Sequence, residues 1–232
     1  MVRTASSTSS ENELAPIVLD FDSQPHLMAF ADVECGKTML LRNIVLGVTE
    51  NATADEARVI MLDYRRTMLG VLEGEQLAGY STSSQTAVPM IKEVASYLTR
   101  RIPGGDITPK QLRERSWWTG PEIYVVVDDY DMVTTGGVNP LEPLLQFLPQ
   151  ARDIGMHLIV ARRSGGAARA LFDKVLGTLK DLSVDALLMS APKDEGKLLG
   201  DVRSGKLAPG RGTLVSRARP NEMVQVSHLP PL

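Results

Sequence analysis

His26-Leu27-Met28-Ala29-Phe30-Ala31-Asp32-Val33-Glu34-Cys35-Gly36-Lys37-Thr38-Met39-Leu40-Leu41 carries an apolar run into a helical pattern through a short polar loop. The run His26 to Phe30 reads as a buried strand. Beyond the loop, Leu40, Leu41, Ile44, Val45 and Val48 recur at helical spacing, so Met39 to Val48 reads as an amphipathic helix. Between them, Ala31 to Thr38 fits the pattern G-x-x-x-x-G-K-[ST], with Ala31 where the first glycine is usual.

The chemistry of phosphate binding explains the residue types. Backbone N–H groups of Ala31, Asp32, Val33, Glu34, Cys35, Gly36, Lys37, Thr38 and Met39 are the candidates to wrap an anion, and Gly36 permits the tight path. Lys37 brings an ammonium to the outer phosphates, and the Thr38 hydroxyl is a candidate Mg²⁺ ligand. The helix start adds the positive end of its dipole. ATP and Mg²⁺ are therefore the expected ligands. An alanine forced to positive φ costs about 1 kcal/mol, so Ala31 is expected either to avoid that region or to loosen the loop.

Strand and helix signals alternate outward from the loop. Ile17 to Asp22, Arg58 to Asp63, Ile123 to Val127 and His157 to Ala161 read as strands, with weaker ones at Ala186 to Met189, Gly212 to Ser216 and Met223 to Val226. Ala87 to Arg100, Pro140 to Ala151 and Ala167 to Leu182 read as helices. Thr108 to Arg115 makes a short one, with Thr108 able to cap and Pro109 suited to the first turn. Tyr64 to Tyr80 shows little periodicity. The alternation predicts an α/β fold, a mainly parallel sheet with helices on both faces. In the domain reading, 1–13 is a Ser/Thr-rich flexible leader or an artificial junction, and 14–232 is a single domain.

The strand ending Val125-Val126-Val127-Asp128-Asp129 supplies carboxylates. Asp128 is the candidate Mg²⁺ partner and, with Asp129, the candidate catalytic pair. Many ATPases carry Glu at the second position. Asp129 is one methylene shorter, and such a displacement costs on the order of 100-fold in rate. Slow or absent hydrolysis is therefore expected. Pro209-Gly210-Arg211-Gly212 forms a tight turn, with Arg211 a candidate to face nucleotide. Arg65-Arg66 and Arg162-Arg163 also follow strand ends, where either a solvated turn or a sensing role fits. Trp117-Trp118 read as packing or interface residues.

The 232 residues are 43% hydrophobic and 23% charged, enough for a sizeable core. The net charge of −3 counts against a domain that grips DNA by itself, since phosphate neutralisation supplies most of that affinity. With Cys35 the single cysteine, no internal disulfide can form, and a reducing cytoplasm is the expected compartment. His26, His157 and His228 are scattered and suggest no metal site.

Several strings resemble one family. They are Pro25-His26 with Glu34-Cys35-Gly36-Lys37-Thr38, Asp63-Tyr64-Arg65-Arg66, Leu112-Arg113-Glu114-Arg115-Ser116-Trp117-Trp118-Thr119-Gly120-Pro121, Val127-Asp128-Asp129-Tyr130-Asp131, Asn139-Pro140-Leu141, Ala151-Arg152-Asp153-Ile154-Gly155, Ala161-Arg162-Arg163 and Pro209-Gly210-Arg211-Gly212. Together they resemble the FtsK/SpoIIIE-like ATPase domains of the EccC proteins, motor subunits of mycobacterial type VII (ESX) secretion, and most of all the third such domain. The resemblance implies a RecA-like P-loop NTPase fold, ATP and Mg²⁺ binding, and a place beside other ATPase domains in a hexameric, membrane-attached cytoplasmic complex. It also implies docking of the C-terminal signal of WXG100-type substrates. The chain then looks like one domain of a longer protein.

Three functional readings follow. One is a motor ATPase for protein export. The second is a docking or regulatory module that holds ATP without turning it over, which Asp129 and Ala31 favour. The third is a DNA translocase, which fold analogy permits and the net charge disfavours.

Overall fold

The computed structural model describes residues 2–9 and 13–230. Its main-sheet strands are β1 (Val2–Ser9), β2 (Glu13–Leu19), β3 (His26–Ala31), β4 (Ala57–Asp63), β5 (Leu77–Ser81), β6 (Glu122–Asp128), β7 (Met156–Arg163) and β8 (Asp185–Met189). A small hairpin, β9 (Lys197–Leu199) and β10 (Val202–Arg203), stands apart, and β11 (Arg211–Val215) and β12 (Glu222–Val226) return to the main sheet. The order across that sheet is β2-β1-β12-β11-β8-β3-β7-β6-β4-β5. From β8 to β5 every pairing is parallel; from β8 through β11 and β12 to β2 every pairing is antiparallel.

Two-residue alternation on β3 divides the core. Met28 and Phe30 join one cluster with Leu144, Phe147, Leu158 and Val160. Leu27, Ala29 and Ala31 join the other with Leu41, Ile44, Ile159 and Ala161. Helix α1 (Lys37–Asn51) covers the second face; α2 (Ser84–Thr99) and a 3-10 segment, Glu142–Gln150, cover the first. Burial on both faces is why these strands read as nearly continuous apolar runs.

The α/β expectation holds, with differences of detail. The stretch 1–13, expected as a flexible leader, carries strand β1, which pairs Ala5 with Val226 and Ser7 with Ala15. Composition does not register what the unpaired edge of β12 offers to any backbone. Helix α3 (Pro109–Glu114) forms with the expected Thr108 cap. Pro140 to Ala151 becomes mostly 3-10, and α5 (Ala151–Ile154) follows it. Short α4 (Tyr130–Val133) was not expected. Ala167 to Leu182 breaks into α6 (Ala167–Ala170) and α7 (Lys174–Asp181), because Asp173 accepts from the Val175 and Leu176 amides and starts a new helix. Strand β5 lies inside the stretch of little periodicity, on the sheet edge and only partly buried.

Parallel β3, β7, β6 and β4 all end at one edge of the sheet. That register sets Ala31 beside Arg163, and Asp63 beside Asp128. Ligands of open α/β sheets bind outside such carboxyl ends.

Candidate phosphate site

Gly36 precedes α1 with φ 100°, ψ 11°, a conformation that suits glycine. A Cβ there would stand 3.1 Å from the Gly210 Cα and 3.2 Å from Met189 Cε. Three bonds tie the loop to its surroundings: Ser164 N–H donates to the Ala31 carbonyl (3.0 Å), Asp32 N–H to the Ser190 carbonyl (2.8 Å) and Gly210 N–H to the Cys35 carbonyl (2.9 Å). The Val33 amide turns to the Asp32 side chain at 2.9 Å. Glu34, Gly36, Lys37, Thr38 and Met39 amides have no acceptor among the described residues. Those N–H groups, free at a helix start, are of the kind that can bind an anion. The sequence assigned the whole run Ala31 to Met39 to the phosphates; Asp32, Val33 and Cys35 spend their amides elsewhere, Cys35 on the Asp32 carbonyl at 3.4 Å.

Ala31 is the last residue of β3, fully buried and not among the residues with positive φ. The cost foreseen for it does not arise. Glu34, at φ 58°, is the loop's non-glycine residue in the left-handed region.

The carboxylates arrive from β6. Thr38 Oγ1 donates to Asp128 Oδ2 at 2.7 Å and Thr67 Oγ1 to the same oxygen at 2.9 Å, while the Asp129 amide donates to Oδ1 at 2.9 Å. Burial pushes the Asp128 carboxyl above its ordinary range, and Lys37 and the Thr38 hydroxyl oppose that push. Asp129, with φ 48°, is buried. Its Oδ1 lies 2.7 Å from Lys37 Nζ and its Oδ2 lies 2.8 Å from Arg65 Nε. The Lys37 contact is an ion pair without hydrogen-bond alignment. Lys37 Nζ is 3.8 Å from Asp128.

A second layer that the sequence reading passed over holds this arrangement. Asp63 Oδ2 accepts from the Met68 amide and the Tyr80 hydroxyl, both at 2.6 Å, and Oδ1 accepts from Thr67 at 3.3 Å. Burial and Asp63 push the Tyr80 hydroxyl well above its ordinary value. The string Asp63-Tyr64-Arg65-Arg66 was visible; that β4 lies next to β6 was not.

Arg162 and Arg163 part company. Arg163 Nε pairs with Asp131 at 2.7 Å on the site's rim. Arg162 turns to the opposite face, buried, and donates to the Gly165 carbonyl at 3.3 Å. Arg211 follows the Gly210 that bonds the loop, but its side chain makes no ion pair among the described residues. Met39 Sδ accepts from the Leu229 amide at 3.2 Å. Trp118 lies against the Arg101 guanidinium at 3.8 Å and donates to the Asp153 carbonyl, so it locks the connector in place.

The residues fit ATP with Mg²⁺. Thr38 and Asp128 offer neighbouring hard oxygens of the kind Mg²⁺ takes together with phosphates and water. Among the described residues no group of three or more His, Cys, Asp or Glu side chains is arranged to hold a metal by itself. No helix among them is long and apolar enough to cross a membrane.

No family model matches the chain. It is 47% identical over 218 residues to the ESX secretion system protein EccC of Thermomonospora curvata, and 49% identical over 216 residues to the ESX-4 secretion system protein EccC4 of Mycobacterium tuberculosis. The matches cover 94% and 93% of this chain but 16% and 18% of those proteins, so it spans about a sixth of their length. The solved cytoplasmic domain of T. curvata EccC superposes with TM-score 0.94 at 44% identity, over 99% of this chain and 26% of that one. ATPases 2 and 3 of the same protein, in complex with a signal sequence peptide, give 0.93 at 45%, over 99% of this chain and 41% of that one. A solved ATPase 32% identical gives 0.88, over 99% of this chain and 87% of its own.

Proposed function

The chain belongs to the EccC family of FtsK/SpoIIIE-like P-loop ATPases, and from that premise we propose that it is the third ATPase domain of such a protein, binding ATP with Mg²⁺. The observation that carries the ligand is the set of loop amides and Lys37 facing Asp128 and Asp129. ATP brings a phosphoanhydride to be held or cleaved, and Mg²⁺ neutralises its charge. This chain supplies the rest. The amides of Glu34, Gly36, Lys37, Thr38 and Met39 face the phosphates, and the Lys37 ammonium supplies a mobile positive charge. The Thr38 hydroxyl and Asp128 hold the metal. Asp129 is the group in place to take a proton from an attacking water.

The specific reading is a cytoplasmic domain of a type VII export motor that sits beside other ATPase domains in a membrane-attached hexamer and docks a substrate's C-terminal signal. The T. curvata complex with a signal sequence peptide supports the docking half. A second reading, a docking module that holds ATP without turning it over, is supported by Asp129, whose two oxygens both face cations.

Calorimetry tests the ligand. Lys37→Ala should weaken ATP binding by about 30-fold or more, the worth of one charge-assisted contact of roughly 2 kcal/mol. Unchanged affinity would sink the site. Fluorescence titration of a labelled substrate C-terminal peptide tests docking, with no saturable binding counting against it.

A further inference from the structure

Asp129 is 4% exposed, yet each of its carboxylate oxygens faces a different cation. The two cations differ in what else they must do. In the reading of this site as an ATP site, on which the inference rests, Lys37 has to move its ammonium onto phosphate oxygens. A buried carboxylate that loses its only counterion pays heavily, so it would hold the lysine back.

Arg65 removes that obstacle. It sits on a turn that Asp63 pins through the Met68 amide and the Thr67 hydroxyl, with Arg66 at φ 62° reversing the chain. Its Nε reaches Asp129 Oδ2 at 2.8 Å and Met132 Sδ at 2.9 Å. Its side chain is 44% exposed, so it can follow Asp129 without itself being desolvated.

We propose that Arg65 is a positioning residue that retains Asp129 when Lys37 leaves it, and so releases Lys37 to the phosphates. Arg65 acts through Asp129 and makes no contact with nucleotide. The ion-pair triad is then a relay: one carboxylate, two cations, one of them free to go.

A double-mutant cycle reads this directly. Mg·ATP affinity is measured by calorimetry for wild type, Arg65→Ala, Asp129→Asn and the double variant. With Asp129 present, Arg65→Ala weakens binding by about tenfold. With Asp129→Asn, the same change moves affinity by less than about twofold, because no charge is left to retain. Equal losses in both backgrounds would mean that Arg65 contacts phosphate itself and would overturn the proposal, as would no loss in either.

A second arm needs no nucleotide and stands even if the ATP reading fails. Melting temperatures are compared for Lys37→Ala, Arg65→Ala and the pair. Removal of both cations lowers the melting temperature by more than the sum of the single shifts, and Asp129→Asn abolishes the excess. Additive shifts would show that Arg65 does not take over from Lys37. Arg65→Lys, which keeps the charge, serves as the folding control and restores most of both effects.

Discussion

At the scale of single residues, the candidate site was legible in its types and misjudged in its details. Gly36-Lys37-Thr38 and Asp128-Asp129 come together as their chemistry demands. Ala31 looked like a defect only because sequence carries no φ; as the final residue of a strand it has no use for glycine's freedom. Arg65 was left between a solvated turn and a sensing role, and Thr67 and the bonding of Asp63 went unread, because their importance comes from strand adjacency, which no local pattern encodes. Asp129 is one methylene shorter than the Glu expected for full activity, and both its oxygens face cations. Asp129→Glu should raise phosphate release by about tenfold or more if reach limits turnover. A steady-state assay that finds the two equally slow would assign the limit to the ion pairs instead.

At the scale of elements, long periodic segments were read well and their interruptions were not. The pattern Ala167 to Leu182 is helical throughout by apolar spacing, but Asp173 competes for the backbone and wins, because its side chain satisfies two amides that a through-going helix would bond differently. The Tyr130 hydroxyl also donates to Asp173, at 2.5 Å, and the Asn139 side chain donates to that hydroxyl at 2.6 Å. The cap therefore ties α7 to the segment that follows Asp128. Asp173→Ala should cost about 1–2 kcal/mol in urea unfolding, the worth of an N-cap and the stranded hydroxyl. A midpoint unchanged from wild type would show the cap to be idle. Strand β5 escaped notice for the opposite reason: on the sheet edge, only Ser81 of its five residues is buried, and the apolar signal is thin.

At the scale of the whole molecule, a second group of titratable side chains lies at the end of the sheet away from the loop. His26 accepts the Leu158 amide at 3.0 Å and bonds the Leu148 carbonyl at 3.2 Å, and burial lowers its pKa from 6.5 to about 4. Glu122 is burdened by burial but paired with His157 and Arg115, and the pairing wins, with a pKa of about 2. Both groups bind fewer protons folded than unfolded, so both contribute stability that is lost on acidification. The His26 contribution is complete above pH 6.5 and disappears as pH falls to 4; that of Glu122 disappears between 4.5 and 2. For buried His26 this amounts to about 3 kcal/mol. His26→Gln should flatten the stability profile between pH 6.5 and 4 while leaving the lower limb steep. A profile of unchanged slope in denaturant titrations would refute the assignment.

The three backbone bonds that hold the loop from outside have a thermodynamic consequence. A receptacle already ordered loses little conformational entropy when it fills, so association needs no slow rearrangement and its heat-capacity change reflects surface burial alone. Amide exchange would display this residue by residue. The Asp32 and Gly210 protons, committed to Ser190 and Cys35, should exchange slowly with or without nucleotide, while those of Glu34, Gly36 and Lys37 should slow only when phosphate arrives.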